Sequence, residues 1–365
     1  MCIICQKQYN VNFISLSCNG CTNIATIPDI LINLISLYCQ DCTSLHIIPN
    51  TLINLITLYC YDCTSLITIP DTFINLTHLY CHDCTSLATI PDTLINLITL
   101  DCNGCTNIST IPDTLINLIS LDCHSCTSLA TIPDTFIKLT HLYCSSCTSL
   151  ATIPNSPKGT RSNLITLDCS NCTSLASIPD ILINLKSLYC SGCISLASIP
   201  NTLINITQIY CYNCTNLAII PDTLINIIYL YCGGCTSLSS IPETLISLEG
   251  QVCKTSLIDK PLSNLIALDC HGCTNLISIP SNKYRYINCD NCKWLNHYTN
   301  KNYAYNIQKL KIIGCWFRRN IKFFIFKRWI KSQEGVKWLY DPANIGGKVV
   351  KININKSIEK MLYKE

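Results

Sequence analysis

The residues of this chain best equipped for chemistry are its thirty cysteines. Most come as C-x2-C: Cys2/Cys5, then Cys18/Cys21, Cys39/Cys42, Cys60/Cys63 and so on to Cys289/Cys292, thirteen pairs after the first. Two such pairs separated by seventeen residues match a zinc-ribbon spacing, and C-x2-C is also a redox spacing. Histidine and aspartate form a second set: five of the seven histidines (His78, His82, His124, His141, His271) recur at equivalent places, with Asp83 beside His82 and Asp122 near His124. Such neighbours can do acid–base chemistry, but no nucleophile or orienting third group accompanies them. His78 and His82 stand four strand residues apart, roughly 13 Å at strand rise, too far to share a metal. The expectation is therefore no catalytic residue, no metal ligand set, no cofactor and no small-molecule substrate.

Period decides how the cysteines are read. Leu55 to Asn75, LITLYCYDCTSLITIPDTFIN, recurs with small changes from about Phe13 to Leu295. With Leu55 as position 1, Leu58, Cys60, Cys63, Leu66, Ile69 and Pro70 take positions 4, 6, 9, 12, 15 and 16, a frame of LxxLxCxxCxxLxxIP. Positions 3 to 6 alternate outward and inward, which predicts a short strand with one buried face. One copy cannot bury its leucines, but copies stacked at about 4.8 Å make a parallel sheet and a continuous core. Positions 6 and 9 then face that core, where cysteine is a small apolar residue with a weak donor. The position-9 thiol is placed to serve backbone groups of the turn. Stacking keeps the thiols in separate columns, so the leading reading is inert core cysteine and the alternative a metal- or redox-binding repeat protein. Pro at position 16 ends the turn after the strand, and Asp at 17 (Asp71, Asp92, Asp113) is expected to cap a short helical or 3₁₀ turn carrying apolar residues at 19 and 20.

This spacing resembles the leucine-rich repeat, L-x-x-L-x-L-x-x-N/C-x-L, with cysteine at position 6 and the last leucine moved by one. The variant LxxLxCxxCTSLxxIPDTLxNL is most similar to repeats of plant disease-resistance receptors and related intracellular proteins. The resemblance covers residues 1–295 and implies an α/β solenoid of about 14 repeats, a horseshoe with a parallel sheet on its concave face. It also implies a non-enzymatic scaffold that binds a partner protein through that face. The frame is interrupted once, where Asn155 to Ser162 adds four residues that read as a surface loop. It decays after Ile227: Cys253 has lost its partner, and Val252 holds position 5 of that failing copy.

Within the repeats the core positions barely change, while positions 3, 5, 7 and 8 vary. Position 5 carries Tyr38, Tyr59, Tyr80, Asp101, Asp122, Tyr143, Asp168, Tyr189, Tyr210 and Tyr231, the histidines take positions 3 and 7, and Asp41, Asp62 and Asp83 take position 8. Exposed tyrosines are rigid, amphipathic interface anchors. They are also good strand formers, which is the alternative reason for their presence. The candidate partner-binding set is thus the ten position-5 residues with His78, His82 and His124.

Charge divides the chain. Residues 1–300 hold 10 Lys+Arg against 18 Asp+Glu, and residues 301–365 hold 15 against 4. The region 296–365 reads as a basic, aromatic capping or tail segment. Ile307 to Lys331 places apolar residues at helical spacing with Arg318, Arg319, Lys322, Lys327 and Arg328 among them, a basic amphipathic helix. It is expected to cover the open end of the solenoid or to meet an acidic partner, nucleic acid or a membrane surface. The segment RWIKSQEGVKWLYDPANIGGK is similar to C-terminal segments of repeat proteins of giant DNA viruses. The start, Met1 to Lys7, does not read as a secretory signal, and no stretch approaches 18 apolar residues. An intracellular, cytoplasmic location is the expectation.

Overall fold

The computed structural model describes residues 2–155, 162–242, 265–277, 279 and 286–292. The expected tail helix and its basic residues lie outside them, as does most of the four-residue insertion. Thirteen three-residue strands form one parallel sheet in chain order: β1 (Ser15–Ser17), β2 (Ser36–Tyr38), β3 (Thr57–Tyr59), β4 (His78–Tyr80), β5 (Thr99–Asp101), β6 (Ser120–Asp122), β7 (His141–Tyr143), β8 (Thr166–Asp168), β9 (Ser187–Tyr189), β10 (Gln208–Tyr210), β11 (Tyr229–Tyr231), β12 (Ala267–Asp269) and β13 (Tyr286–Asn288). The register pairs like with like, Leu58 with Leu79 and Tyr59 with Tyr80, so each repeat is one turn of a parallel β-solenoid. β12 pairs directly with β11, Tyr231 opposite Asp269. The failing copy around Val252 and Cys253 lies outside the described residues.

The core is the repeat's own frame. Leu55, Leu58, Cys60, Cys63, Leu66 and Phe73 have no accessible surface, and Ile69 almost none. β3 shows the pattern seen along β2 to β11, its middle residue buried and the two flanking it half-buried. Position 19 is inside, as Phe73 shows, but position 20 is not: Ile74 is 52% exposed, and Ile53, Ile95 and Ile116 stand out likewise. The expected inward pair is a single inward residue.

No helix occurs among the described residues, so the α half of the α/β expectation is not met there. Between Pro70 and Leu76 the chain takes two tight turns instead, Phe73 N–H donating to Pro70 O at 3.4 Å and Leu76 N–H to Phe73 O at 3.0 Å. A turn-built side leaves carbonyls that a helix would have satisfied internally, and buried or crowded backbone groups need partners. Side chains of the next turn supply them. Thr72 Oγ1 donates to Asn50 O, Thr93 Oγ1 to Asp71 O, and Thr114 Oγ1 to Asp92 O. Asn54, Asn75, Asn96 and Asn117 donate from Nδ2 to Ile32, Ile53, Ile74 and Ile95 carbonyls at 2.8–3.0 Å. The recurrent Thr at 18 and Asn at 21 are thus rungs of two side-chain ladders, and the residue at 17 contributes its carbonyl, which accepts.

Cysteine supplies a third ladder. From Cys42 to Cys292, each position-9 thiol donates to the carbonyl of the position-6 cysteine one turn earlier, for example Cys63 Sγ to Cys39 O at 3.0 Å and Cys126 Sγ to Cys102 O at 3.1 Å. This is the backbone service the sequence assigned to position 9. The position-6 thiols Cys39, Cys60, Cys81 and Cys102 are held well above the ordinary thiol range by a hydrogen bond with the next turn's position-9 thiol and by burial. They stay neutral and unreactive at physiological pH.

Candidate functional site

Strand alternation sends positions 3 and 5 to the solvent side of the sheet, and the chain continues through position 7 before turning inward at Cys 9. In-register pairing places equivalent side chains one strand apart, so tyrosines at position 5 meet face to face. Tyr38, Tyr59 and Tyr80 stack with ring centroids 4.9 and 4.5 Å apart and planes within 9°. Tyr189, Tyr210 and Tyr231 form a second ladder at 4.8 and 4.7 Å. Burial, reinforced by the neighbouring phenols, pushes the hydroxyls of Tyr80, Tyr210 and Tyr231 up from the usual tyrosine range. Each ladder is a rigid aromatic strip.

Between the ladders the surface is acidic. Asp101 and Asp122 sit opposite each other on β5 and β6, and Asp168 follows on β8 beyond Tyr143. Aspartate at position 5 also caps the backbone, accepting from the position-7 N–H in Asp101–Asn103, Asp122–His124 and Asp168–Ser170. Tyrosine cannot do this. His82 Nδ1 lies 3.2 Å from Asp101 Oδ2, one turn on, and the imidazole stacks on Tyr61 at 4.4 Å. Burial pushes the Asp101 carboxyl up, and Asp122 adds to this against hydrogen bonds from Asn103 N–H and His82.

His124 is the hinge of this cluster. Its Nδ1 is 2.6 Å from Asp122 Oδ1, and its Nε2 reaches over β7 to within 3.6 Å of Asp168 Oδ2. Hydrogen bonds to Asp122, then to Asp168, push the imidazole up to about 10, so both nitrogens carry protons at neutral pH. Burial pushes the Asp168 carboxyl up, but bonds from His124 and Ser170 outweigh it and leave it below its ordinary value. An imidazolium locked between two carboxylates holds charge in place. It is not poised to exchange a proton near neutrality.

His78 and His141 do not join the cluster. Each has Nδ1 2.7 Å from the hydroxyl of the preceding threonine, Thr77 or Thr140. Farther along, Asp269, only 5% exposed, gathers His271 Nδ1 at 2.7 Å and the Tyr212 hydroxyl at 3.2 Å. Tyr212 reaches it over β11, and Gly233 leaves room for the imidazole: a Cβ there would fall 2.3 Å from the His271 ring. Sequence reasoning missed this trio because the repeat between Tyr231 and Asp269 is broken.

Position 8 answers to the backbone. Asp41, Asp62, Asp83, Asn171 and Asn213 all have φ of 56–58°, and Gly20, Gly104, Gly192 and Gly234 fill the same place at 67–75°. Its choice of Gly, Asp, Asn or Ser is a left-handed backbone requirement rather than ligand contact. The signal was in the sequence as that residue set.

Apolar surface lies off this face. Ile14, Ile35 and Ile56 at position 2, with Asn33, Asn54 and Asn75 between turns, line an open groove of about 600 Å³. Among the described residues the cysteines form no disulfide. One group of side chains has metal-ligand spacing: Cys2, Cys5 and Cys21, whose sulfurs all lie within 4.8 Å of one another.

No family model and no curated protein matches this chain. Among solved structures it is similar to the leucine-rich repeat domain of the type III effector XopL, at 20% identity over 56% of this chain and 76% of that one, TM-score 0.48. It is also similar to the functional domain of InlJ from Listeria monocytogenes, which includes a cysteine ladder, at 20% identity over 77% and 64%, TM-score 0.49. A third is a leucine-rich repeat protein from Leptospira interrogans, at 16% identity over 84% and 96%, TM-score 0.32.

Proposed function

We propose that the chain is a non-enzymatic, intracellular scaffold that binds a partner protein across the solvent face of its sheet. The observation that carries this reading is the layout of position 5. Two stacked tyrosine ladders, Tyr38–Tyr80 and Tyr189–Tyr231, bracket the carboxylates of Asp101, Asp122 and Asp168 on a surface whose backbone is the same from turn to turn. Ladder and threonine/asparagine rungs explain why most of the repeat is constant. Positions 3, 5 and 7 are the ones left free to vary.

The chemistry of the face specifies the partner's. Three carboxylates against one imidazolium favour a basic segment at the centre, and tyrosine faces receive guanidinium or apolar side chains on either side. Stacked rings lose little side-chain freedom on binding, which makes them efficient anchors. The Asp–His contacts hold charge in place, which supports a binding rather than a catalytic role.

The test is affinity capture from extract with the wild-type chain and with a variant carrying Tyr59→Ser, Tyr80→Ser and Asp101→Asn. Circular dichroism and a thermal melt confirm that the variant keeps its fold. Proteins retained by the wild type, released by raised salt and lost by the variant are the expected result. A variant that retains the same proteins with unchanged affinity removes this face from the account.

A further inference from the structure

The twelve position-9 cysteines from Cys42 to Cys292 share one environment: buried, each Sγ donating to a carbonyl one turn earlier. Cys21 occupies the same position in the first full turn but is partly exposed, and its sulfur meets another sulfur, Cys5 Sγ at 3.2 Å. Cys2 completes the group, all three sulfurs lying within 4.8 Å of one another. A tight loop brings Cys2 and Cys5 there: Gln6 N–H donates to Cys2 O, Gln8 N–H to Ile3 O, and Lys7 takes a left-handed φ of 55°. The loop is thereby folded back against a turn that lies sixteen residues farther on in the chain.

We propose that Cys2, Cys5 and Cys21 form a thiolate site for one zinc(II) ion, which pins the N-terminal loop to the first turn of the solenoid. Three thiols in mutual contact are poor partners for each other, since a thiol is a weak donor and a weaker acceptor. As thiolates around one ion they become strong ligands. With zinc–sulfur bonds of about 2.3 Å in a tetrahedron, ligand sulfurs stand about 3.8 Å apart. That spacing falls between the 3.2 Å Cys5–Cys21 contact, which would open by about half an ångström, and the 4.8 Å within which all three sulfurs lie. Soft sulfur donors select zinc over magnesium or calcium. Partial exposure of Cys2 and Cys5 provides an entry path and leaves the fourth position to solvent or an added ligand. Binding displaces the thiol protons to solvent, so it strengthens as pH rises through neutrality.

Interior thiols do not compete on these terms. Each interior position-9 thiol is buried and engaged with a backbone carbonyl, as Cys63 is with Cys39 O. The site belongs to one end of the molecule and not to the cysteine frame in general, and it goes beyond the proposed partner-binding role of the sheet face.

The test uses the full chain, reduced and freed of metal, titrated with zinc(II) against a chromophoric chelator and separately with cobalt(II) as a spectroscopic probe. One equivalent bound, a thiolate-to-cobalt charge-transfer band, and a higher melting temperature with zinc are expected. Cys5→Ser and Cys21→Ser should abolish the band and the thermal shift, while Cys63→Ser, an interior control, should keep both. If Cys21→Ser unsettles the first turn, Cys2→Ser, at a partly exposed place, still discriminates by weakening zinc binding without lowering metal-free stability. Absence of binding, equal binding by all variants, or a Cys5–Cys21 disulfide in the chain purified without reductant would each overturn the proposal.

Discussion

The two sides of each strand obey different rules. On the inner side Leu58 and Cys60 recur as Leu79 and Cys81, Leu100 and Cys102, Leu121 and Cys123, all without accessible surface. On the outer side the residue between them runs Tyr59, Tyr80, Asp101, Asp122. The contrast teaches that constancy in a repeat is a record of mechanical duty. Leucine and cysteine fill a column, threonine and asparagine bridge turns, and position 8 holds a left-handed bend. What remains is the surface on which one turn can differ from the next without disturbing the stack.

The strongest way to break that contrast is from inside. Leu121→Ala, in the middle of the column, is expected to destabilise the solenoid by about 2–5 kcal/mol, measured by urea unfolding. A loss below about 1 kcal/mol would mean that the column is not close-packed. Position 8 comes next. Gly104 has φ +70°, and a Cβ there would sit 2.1 Å from Asp83 Oδ1, so Gly104→Val should lose about 1–3 kcal/mol through backbone strain and the clash. Asp83→Gly, in contrast, should leave stability within about 0.5 kcal/mol of wild type, which is the outcome a conformational rather than a ligand-binding role requires.

On the outer side the effects are smaller. Tyr59 stacks on both neighbours, and Tyr59→Ala should cost about 1–2 kcal/mol in the same unfolding experiment, since each stacked pair contributes roughly 0.5–1.5 kcal/mol. The smallest effect is one of pH. His124 is raised from 6.5 to about 10 in the folded chain, so its ion pairs contribute fully below pH 6.5 and fade as pH climbs toward about 10. Melting temperature followed across that window should fall more steeply for the wild type than for His124→Gln. Equal slopes would show that the imidazolium bridge to Asp122 and Asp168 does not hold in solution.

The fold was legible because its period was. Leucine spacing gave the strand, the parallel stack and the buried cysteines, and position 9 was matched to backbone groups, which the structure shows to be carbonyls of the preceding turn. The helical turn was not legible: Asp71 after Pro70 looks like a cap, and only the inter-turn bonds of Thr72 and Asn75 reveal that turns suffice. At the surface, the tyrosine columns could be read from position 5 alone. The bridge from His124 to Asp168 could not, since it spans an intervening strand and a turn lengthened by four residues. Cys2, Cys5 and Cys21 escaped for a related reason: their approach depends on a loop bond pattern that C-x2-C spacing does not encode. Asp41, Asp62 and Asp83 hold a left-handed bend, a backbone duty that an acidic side chain at position 8 does not by itself reveal.

The measurement that reaches the central claim most directly is a side-by-side capture with two folded variants, one altered on the outer face (Tyr59→Ser, Tyr80→Ser, Asp101→Asn) and one altered only at position 8 (Asp62→Gly, Asp83→Gly). The account predicts that the first loses the partner proteins held by the wild type and the second holds them with the same affinity. Retention by the first variant together with loss by the second would contradict it, and would place recognition on the turn carboxylates instead of the tyrosine and aspartate face.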